Sequence, residues 1–433
     1  MALADTIFAL SSGKLPAGIA VVRMSGSATR FAIETMFGSV PDARSARYGA
    51  FRHGHDVFDR GICLFFPGPG SVTGEDCGEF HLHGGVAVVK TALTMLESLP
   101  GLRPAEPGEF TRRAFLNGKL DLTGAEALSD LLAAETERQL ELANTMGRRQ
   151  SEIYLDWRRR ILVSRAMLES ALDFSDQEDV PQLEIAGIRA SSLDLAAAIR
   201  QHAMRFRQAE IVRSGFNVVI VGAPNAGKSS LLNALALRDV ALVSDEPGTT
   251  RDAVSVSLDI GGYKVVVTDT AGVRDDAGRV EAMGIEKARG LVREADLVLR
   301  LIDMSDPVRV EIETSAPVAE IGSKADIAET GADYDVIVSS VSGDGLAALL
   351  ELIGNQARCG VEGKGEVWPT RERHVRHLLA AAGSLERSAN SGLVAELAAE
   401  ELRMAAWELG RIVGMIDTEE MLGEIFSRFC IGK

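Results

Sequence analysis

Apolar positions along the chain change period, and each change marks a different kind of element. Up to residue 118 the apolar runs are short and broken by Gly and Pro. Residues 19–23 and 61–66 read as strands, the second closed by Pro67-Gly68-Pro69-Gly70, and 86–98 read as a helix. This is an α+β pattern. From residue 119 the spacing turns helical. Thr123-x-x-Glu126 predicts a capping box, and Leu128, Leu131 and Leu132 then recur on one face. Helical texture runs to about residue 212, with breaks such as Val180-Pro181. It returns from about 372 to 428, where Asp417 and Glu420 predict a second capping box.

Between the helical stretches lie β-branched runs at 216–222, 254–260, 264–268, 297–302 and 335–339. They alternate with helical segments at 228–237 and 281–293, the signature of a parallel sheet with crossover helices. An α/β domain is therefore predicted inside a helical one, with 360–365 as the linker back. The expected organisation is 1–118, 119–212, 213–366 and 367–433.

The inserted region carries the clearest chemistry. Gly222-Ala223-Pro224-Asn225-Ala226-Gly227-Lys228-Ser229, followed by Ser230, fits G-x-x-x-x-G-K-[ST] between a strand and a helix. Its glycines allow backbone N–H groups to point at phosphate oxygens, and the helix start adds positive dipole. Lys228 supplies charge for the β- and γ-phosphates, and the Ser229 hydroxyl suits Mg²⁺. Asp269-Thr270-Ala271-Gly272 ends a strand, where Asp holds Mg²⁺ through water and Gly presents an N–H to a γ-phosphate. Gly248-Thr249-Thr250 lies between the two and offers a further hydroxyl. Ser323-Lys324-Ala325-Asp326 stands where a guanine-reading N-K-x-D is expected, with Ser339-Ser340 behind it. Asp326 can accept guanine N1–H and N2–H together. Ser323 in place of Asn is expected to remove an amide that ties this loop to the base and to the phosphate loop, weakening guanine binding without loss of specificity. The short 303–324 segment is expected to lack or truncate a helix. The ordered set points to a GTP-hydrolysing, Ras-like P-loop domain with a parallel-rich sheet flanked by helices. No glutamine follows Gly272. Glu281 is the nearest polar alternative for positioning water, and equally a solvated first-turn glutamate.

Charge narrows the partners. The 433 residues carry a formal charge of −16, while residues 1–118 hold 11 basic and 11 acidic side chains, so the whole excess lies beyond them. A strongly basic nucleic-acid binder is disfavoured. Hydrophobic residues at 46% and charged ones at 25% exclude disordered, collagenous and coiled-coil chains. No apolar run reaches the 18 or so residues of a membrane span, and no secretory signal is expected at the N-terminus. Cys63, Cys77, Cys359 and Cys430 show no metal or redox spacing and fit a reducing cytosol. His81 and His83 share a strand face, as do His53 and His55. A metal site and ordinary hydrogen-bonding histidines both remain open. Arg23, Glu79 and Lys119 are bland taken singly.

The sequence resembles the MnmE (TrmE) family of tRNA modification GTPases, of the TrmE-Era-EngA type, along essentially its whole length. The resemblance rests on Asp5-Thr6-Ile7, the run 18–23, Phe66-Pro67-Gly68-Pro69, Thr73-Gly74-Glu75-Asp76, Glu79, His83-Gly84-Gly85 and Pro107-Gly108-Glu109-Phe110-Thr111. It continues through Asn117-Gly118-Lys119, the phosphate loop, Asp252 and the terminal Phe429-Cys430-Ile431-Gly432-Lys433. It implies a multidomain α/β chain: an N-terminal α+β tetrahydrofolate-binding-like domain that forms a homodimer, a discontinuous all-α domain, and the inserted GTPase domain. It implies hydrolysis assisted by K⁺, with Asn225, Ser244, Glu246 and Thr249 as ligands, Asp245, Pro247 and Gly248 in the same loop, and Mg²⁺ on Ser229 and Thr250. Glu281 would orient water. Arg23, Glu79, Lys119 and Lys433 would contact a 5-formyl- or 5,10-methylene-tetrahydrofolate, near which Cys430 is either catalytic or an inert thiol. With a flavin-dependent partner of the MnmG (GidA) type, such a protein would form a carboxymethylaminomethyl or aminomethyl group on wobble uridine of tRNA, in the cytoplasm. Two other readings are a GTP-timed RNA or ribosome-assembly switch and a folate-dependent transferase regulated by GTP.

Overall fold

A computed structural model of the chain describes residues 5–173, 182–238, 240–242, 255–270, 280–328, 333–361, 366–416, 429 and 432. Two compact units divide it, Met1–Ser129 with Gly410–Lys433, and Asp130–Leu409.

In the first unit, strands β1 (Thr6–Leu10), β2 (Ala17–Ser25), β3 (Arg47–His53), β4 (Asp56–Phe66), β5 (Cys77–Gly84) and β6 (Leu102–Pro104) form one sheet. Its order is β3-β4-β5-β2-β1-β6, antiparallel except for β1 against β6. Alternation decides the faces. Val22, Met24, Phe80, Leu82, Cys63 and Phe65 point into a core shared with helices α1 (Thr29–Phe37) and α2 (Val86–Ser98). Arg23, Glu79 and His81 therefore stand on the opposite face. Burial raises the Cys63 thiol to about 12, so it is an inert core residue.

Helices α3 (Glu109–Leu116) and α4 (Leu122–Ala133) follow. The capping box expected at Thr123 and Glu126 is not what starts α4. The helix begins one residue earlier, and the Asp121 carboxylate accepts the Gly124 amide at 2.8 Å and the Thr123 hydroxyl at 2.9 Å. Asp121 is the better-placed cap because its oxygen reaches an otherwise free amide of the first turn. Leu122 and Ala125 form a small core with Phe429. The predicted box at Asp417 and Glu420 lies outside the described residues, as does the break at Val180-Pro181.

The second unit contains α5 (Glu137–Asp173), about 55 Å long at helical rise, with α6 (Gln182–Ala203), α7 (Phe206–Ser214), α11 (Glu372–Ser388) and α12 (Ala395–Val413). Its sheet comprises β7 (Phe216–Gly222), β8 (Ser255–Ile260), β9 (Tyr263–Asp269), β10 (Leu297–Asp303), β11 (Val318–Ser323) and β12 (Val336–Ile337), in the order β12-β11-β10-β7-β9-β8. Every pair is parallel except β8 against β9, a hairpin turned by Gly261 and Gly262, both at positive φ. Helices α8 (Lys228–Ala236) and α10 (Leu346–Cys359) bury Leu231, Leu232, Leu235, Leu349 and Ile353 on this sheet. Helix α9 (Val280–Glu294) places Val292 in a smaller cluster with Val219 and Val298.

β11 did not stand out in the sequence, since VAEIGS mixes polar and small residues. Between β10 and β11 the described residues 304–317 form no helix. Arg300 of β10 faces Glu320 of β11 in register and pairs with it at 2.8 Å, and Arg309 pairs with the same glutamate at 2.8 Å. Ile312 and Ala316 of the segment pack against the cluster of Val219, Val292 and Val298.

The sheet's base is fixed to α5. Arg138 N–H donates to the Gly262 carbonyl and its guanidinium lies over the Tyr263 ring, Glu135 pairs with Lys264, and Gln139 donates to the Arg213 carbonyl. β9 thus runs from a helical anchor to Asp269. Among the described residues no helix is long and apolar enough to cross a membrane.

Candidate functional site

The phosphate loop owes its shape to backbone that few residues tolerate. A Cβ on Gly222 would sit 2.4 Å from the Leu301 carbonyl oxygen of β10. Asn225 and Gly227 both adopt positive φ, 65° and 93°. Gly227 caps α8 with no side-chain bond to its first turn. Those amides are thus left for a ligand, at the positive end of the helix dipole.

Three side chains close the loop. Lys228 Nζ donates to the carbonyls of Gly222 and Ala223 at 3.0 and 2.9 Å. The Ser229 hydroxyl donates to Asp269 Oδ2 at 2.6 Å, and Asp269, only 1% exposed, ends β9 beside Ile220 of β7. The Thr270 hydroxyl donates to the Ile220 carbonyl. Two hard oxygens, Ser229 Oγ and Asp269 Oδ2, thus lie together at the start of α8, a donor set that suits Mg²⁺.

The second loop meets this one. Ala325 N–H donates to the Val338 carbonyl, and the buried Ser339 hydroxyl donates to Asp326 Oδ1 at 2.6 Å. Lys324, at φ 63°, pairs with Asp303 Oδ2 at 2.5 Å. Burial works to raise the Asp303 pKa, but the hydrogen bonds from Lys324 and Ser305 outweigh it and hold the carboxyl below its ordinary value. Ser323 corrects an expectation. Its hydroxyl donates to the Ala226 carbonyl at 2.8 Å, with the Ile302 carbonyl at 3.1 Å. The tie to the phosphate loop is kept, by a hydroxyl instead of an amide, because the end of β11 brings position 323 directly behind Ala226.

The structure therefore gathers the phosphate loop with Asp269 and Thr270, and joins the loop 323–326 to it through Ala226. Residues 244–250, Ala271, Gly272, Cys430 and Lys433 lie outside the described residues. So does the side chain of Glu281, whose backbone falls in the first turn of α9.

On the N-terminal sheet, Arg23 and Glu79 face each other in register. Arg23 Nε and Nη2 reach Glu79 Oε1 at 3.0 and 2.9 Å, and His81 Nε2 lies 3.2 Å from Oε2. His83 pairs instead with Asp59. No group of three metal-ligating side chains occurs among the described residues. Lys119 is placed on the loop 67–76, donating to the Pro69 carbonyl at 2.8 Å. Ser25, two residues beyond Arg23 on the same strand face, bonds Thr73 and Glu75 and so ties that loop to the sheet. The C-terminal tail arrives at the same sheet. The Ser11 hydroxyl donates to the Gly432 carbonyl, and Ser11 N–H donates to the Val21 carbonyl.

Sequence reasoning missed Arg113. It is 0% exposed and meets Asp5, Glu75 and Glu109 at 2.9, 3.1 and 3.0 Å. Arg103 shares Asp5 and Glu109. The signal was three acids scattered over separate motifs. Nothing in their spacing shows that they converge.

Family models match most of the chain. Residues 6–119 match the GTP-binding protein TrmE N-terminus, and 122–430 match the MnmE helical domain. A tRNA modification GTPase MnmE from Chelativorans sp. (strain BNC1) is 55% identical over 99% of this chain and 98% of its own length. The protein of that name from Mesorhizobium japonicum is 51% identical over 99% of each. Among solved structures, a variant of Aquifex aeolicus Era bound to GDP·AlF4⁻ is 23% identical over 39% of this chain and 66% of its own, with a TM-score of 0.27. The G domain of the T. maritima FeoB iron transporter is 24% identical over 33% and 98%, with a TM-score of 0.24. With both its halves matched by the family's own models and whole-length relatives at this identity, the chain belongs to the MnmE (TrmE) family of tRNA modification GTPases.

Proposed function

We propose that GTP is bound and cleaved at the loop 222–230, with Asp326 reading guanine through N1–H and N2–H and Ser339 holding that carboxylate in place. Ser229 and Thr250 would hold Mg²⁺, and Asn225, Ser244, Glu246 and Thr249 would hold K⁺. Such cations supply positive charge against the charge that builds on the transferred phosphoryl group. Glu281 orients the attacking water. The observation that carries this reading is the state of the loop itself. Lys228 rests on two backbone carbonyls and Ser229 on Asp269, so charge, hydroxyl and carboxylate stand where a triphosphate and its cation can take them over.

Residues 1–118 form the second working domain, a homodimerising one. The chain then runs through helices at 119–212, the GTPase domain at 213–366 and helices again at 367–433. Arg23, Glu79, Lys119 and Lys433 would hold a 5-formyl- or 5,10-methylene-tetrahydrofolate, which supplies a one-carbon unit. Glu79 suits the paired N–H groups of a pterin, and Gly432 is held at the same sheet by the Ser11 hydroxyl. With a flavin-dependent MnmG-type partner in the cytoplasm, the enzyme forms the 5-carboxymethylaminomethyl or aminomethyl group on wobble uridine. The β9 connection from Asp269 to the α5 anchor gives GTP cleavage a path to the helices.

The test pairs turnover with product. Purified protein is expected to hydrolyse GTP at least tenfold faster in K⁺ than in Na⁺, the order of one charge contact to the transferred phosphoryl group. Wobble uridine should be unmodified in tRNA from cells lacking the gene. Equal rates in the two salts would remove the Asn225 site, and unaltered uridine would favour a GTP-timed switch.

A further inference from the structure

The side chain at position 323 lies between the phosphate loop and the end of β10. Ser323 is 4% exposed at the end of β11, and its hydroxyl lies 2.8 Å from the Ala226 carbonyl and 3.1 Å from the Ile302 carbonyl. A hydroxyl has one proton, and both neighbours are acceptors, so the proton is committed to one of them. What remains on Oγ is lone pairs. Guanine presents N1–H and N2–H on one edge, but its O6 and N7 are acceptors that need donors. An asparagine has two amide protons and could keep the Ala226 link while offering the second to N7. A serine can do only the first. The two adjacent donors are also engaged, Lys324 Nζ by Asp303 and Ala325 N–H by the Val338 carbonyl.

We propose that Ser323 is a specificity-determining residue that withdraws ring N7 from recognition, so that the enzyme reads its nucleotide through the N1–H and N2–H edge alone. Ser323 separates two tasks, keeping the loop-to-loop tie and giving up the contact to the five-membered ring. The inference rests on the base site proposed at 323–326.

The experiment uses the unmodified full chain and competition binding of three nucleotides: GTP, its 7-deaza analogue with C–H in place of N7, and ATP. GTP and 7-deaza-GTP are expected to bind within about twofold of each other, and ATP at least 100-fold more weakly, since adenine leaves Asp326 without its donors. GTP binding about tenfold tighter than 7-deaza-GTP, the worth of one hydrogen bond, would overturn the inference while leaving the guanine site standing. ATP binding as tightly as GTP would overturn the site and the inference together. Ser323→Asn is expected to create a several-fold preference for GTP over the 7-deaza analogue, and Ser323→Ala to weaken both equally. A well-folded Ser323→Asn with no such preference would count against the donor argument. If that variant does not fold, the comparison on the unmodified chain still decides.

Discussion

Both units carry a candidate ligand site on a six-stranded sheet, yet they build it from different material. At the start of α8 the recognition surface is main chain. Gly222 lets β7 approach β10, Asn225 and Gly227 take positive φ, and no side chain caps the first turn of α8. On the N-terminal sheet the surface is side chain, with Arg23, Glu79 and His81 lined up by register across β2 and β5. A backbone site constrains which residues can be used, so it leaves a mark in the sequence. A side-chain site asks only that the strand alternate, and any polar residue meets that condition.

The largest expected effect tests the first kind of site. Asp269→Asn keeps shape and the Ser229 contact but removes the charge beside it. GTP turnover should fall on the order of 100-fold, as when one stabilising group of a charged transition state is lost. GDP binding should change little, because the amides of the loop are untouched. Steady-state hydrolysis with equilibrium GDP binding checks both. A collapse of GDP affinity would mean that side chains, not backbone, hold the phosphates.

The second test concerns what supports the other site. Arg113 draws three carboxylates to one buried guanidinium, tying Asp5, the loop 67–76 through Glu75, and α3 through Glu109. Arg113→Met leaves these acids with less compensation, and about 3–5 kcal/mol of stability should be lost, read by denaturant unfolding. The loss should depend on pH. Burial raises Asp5 and Glu109, but their arginine hydrogen bonds outweigh it, and both sit below the ordinary carboxyl values of 3.8 and 4.5. Groups depressed in the folded state stabilise it above those values, and that contribution disappears as pH falls through the lower, folded ones. The gap between wild type and variant should therefore narrow below about pH 4. An unchanged gap at pH 3 would show that the arginine acts by packing alone.

How much could be read from the chain follows the same division. The phosphate loop and the strands at 216–222 and 297–302 were legible, because glycine positions and β-branched runs are imposed by the backbone. Position 323 was legible as a departure, but its tie to the phosphate loop was misread, since its partner is a main-chain carbonyl nearly a hundred residues away. The start of α4 was misplaced because Asp121 and Thr123 both have capping side chains, and only geometry shows which oxygen reaches an amide. Arg113 was illegible, because an ion cluster assembled from three motifs has no period.

The smallest expected effect is the most telling for the side-chain site. Arg23 and Glu79 are partly exposed, and they form a close pair across β2 and β5. If they were there to hold the sheet together, their coupling would be the reason for both. A double-mutant cycle with Arg23→Gln and Glu79→Gln should give no more than about 1 kcal/mol, because water still reaches a partly exposed pair and ordering two long side chains opposes it. The same variants should each abolish the retention of a reduced folate by the full chain, measured by equilibrium dialysis. A pair that contributes so little to folding yet is needed for the ligand belongs to a recognition surface. A coupling of several kcal/mol with folate retention unchanged would make it a strut of the sheet, and would leave that face without the contacts assigned to it.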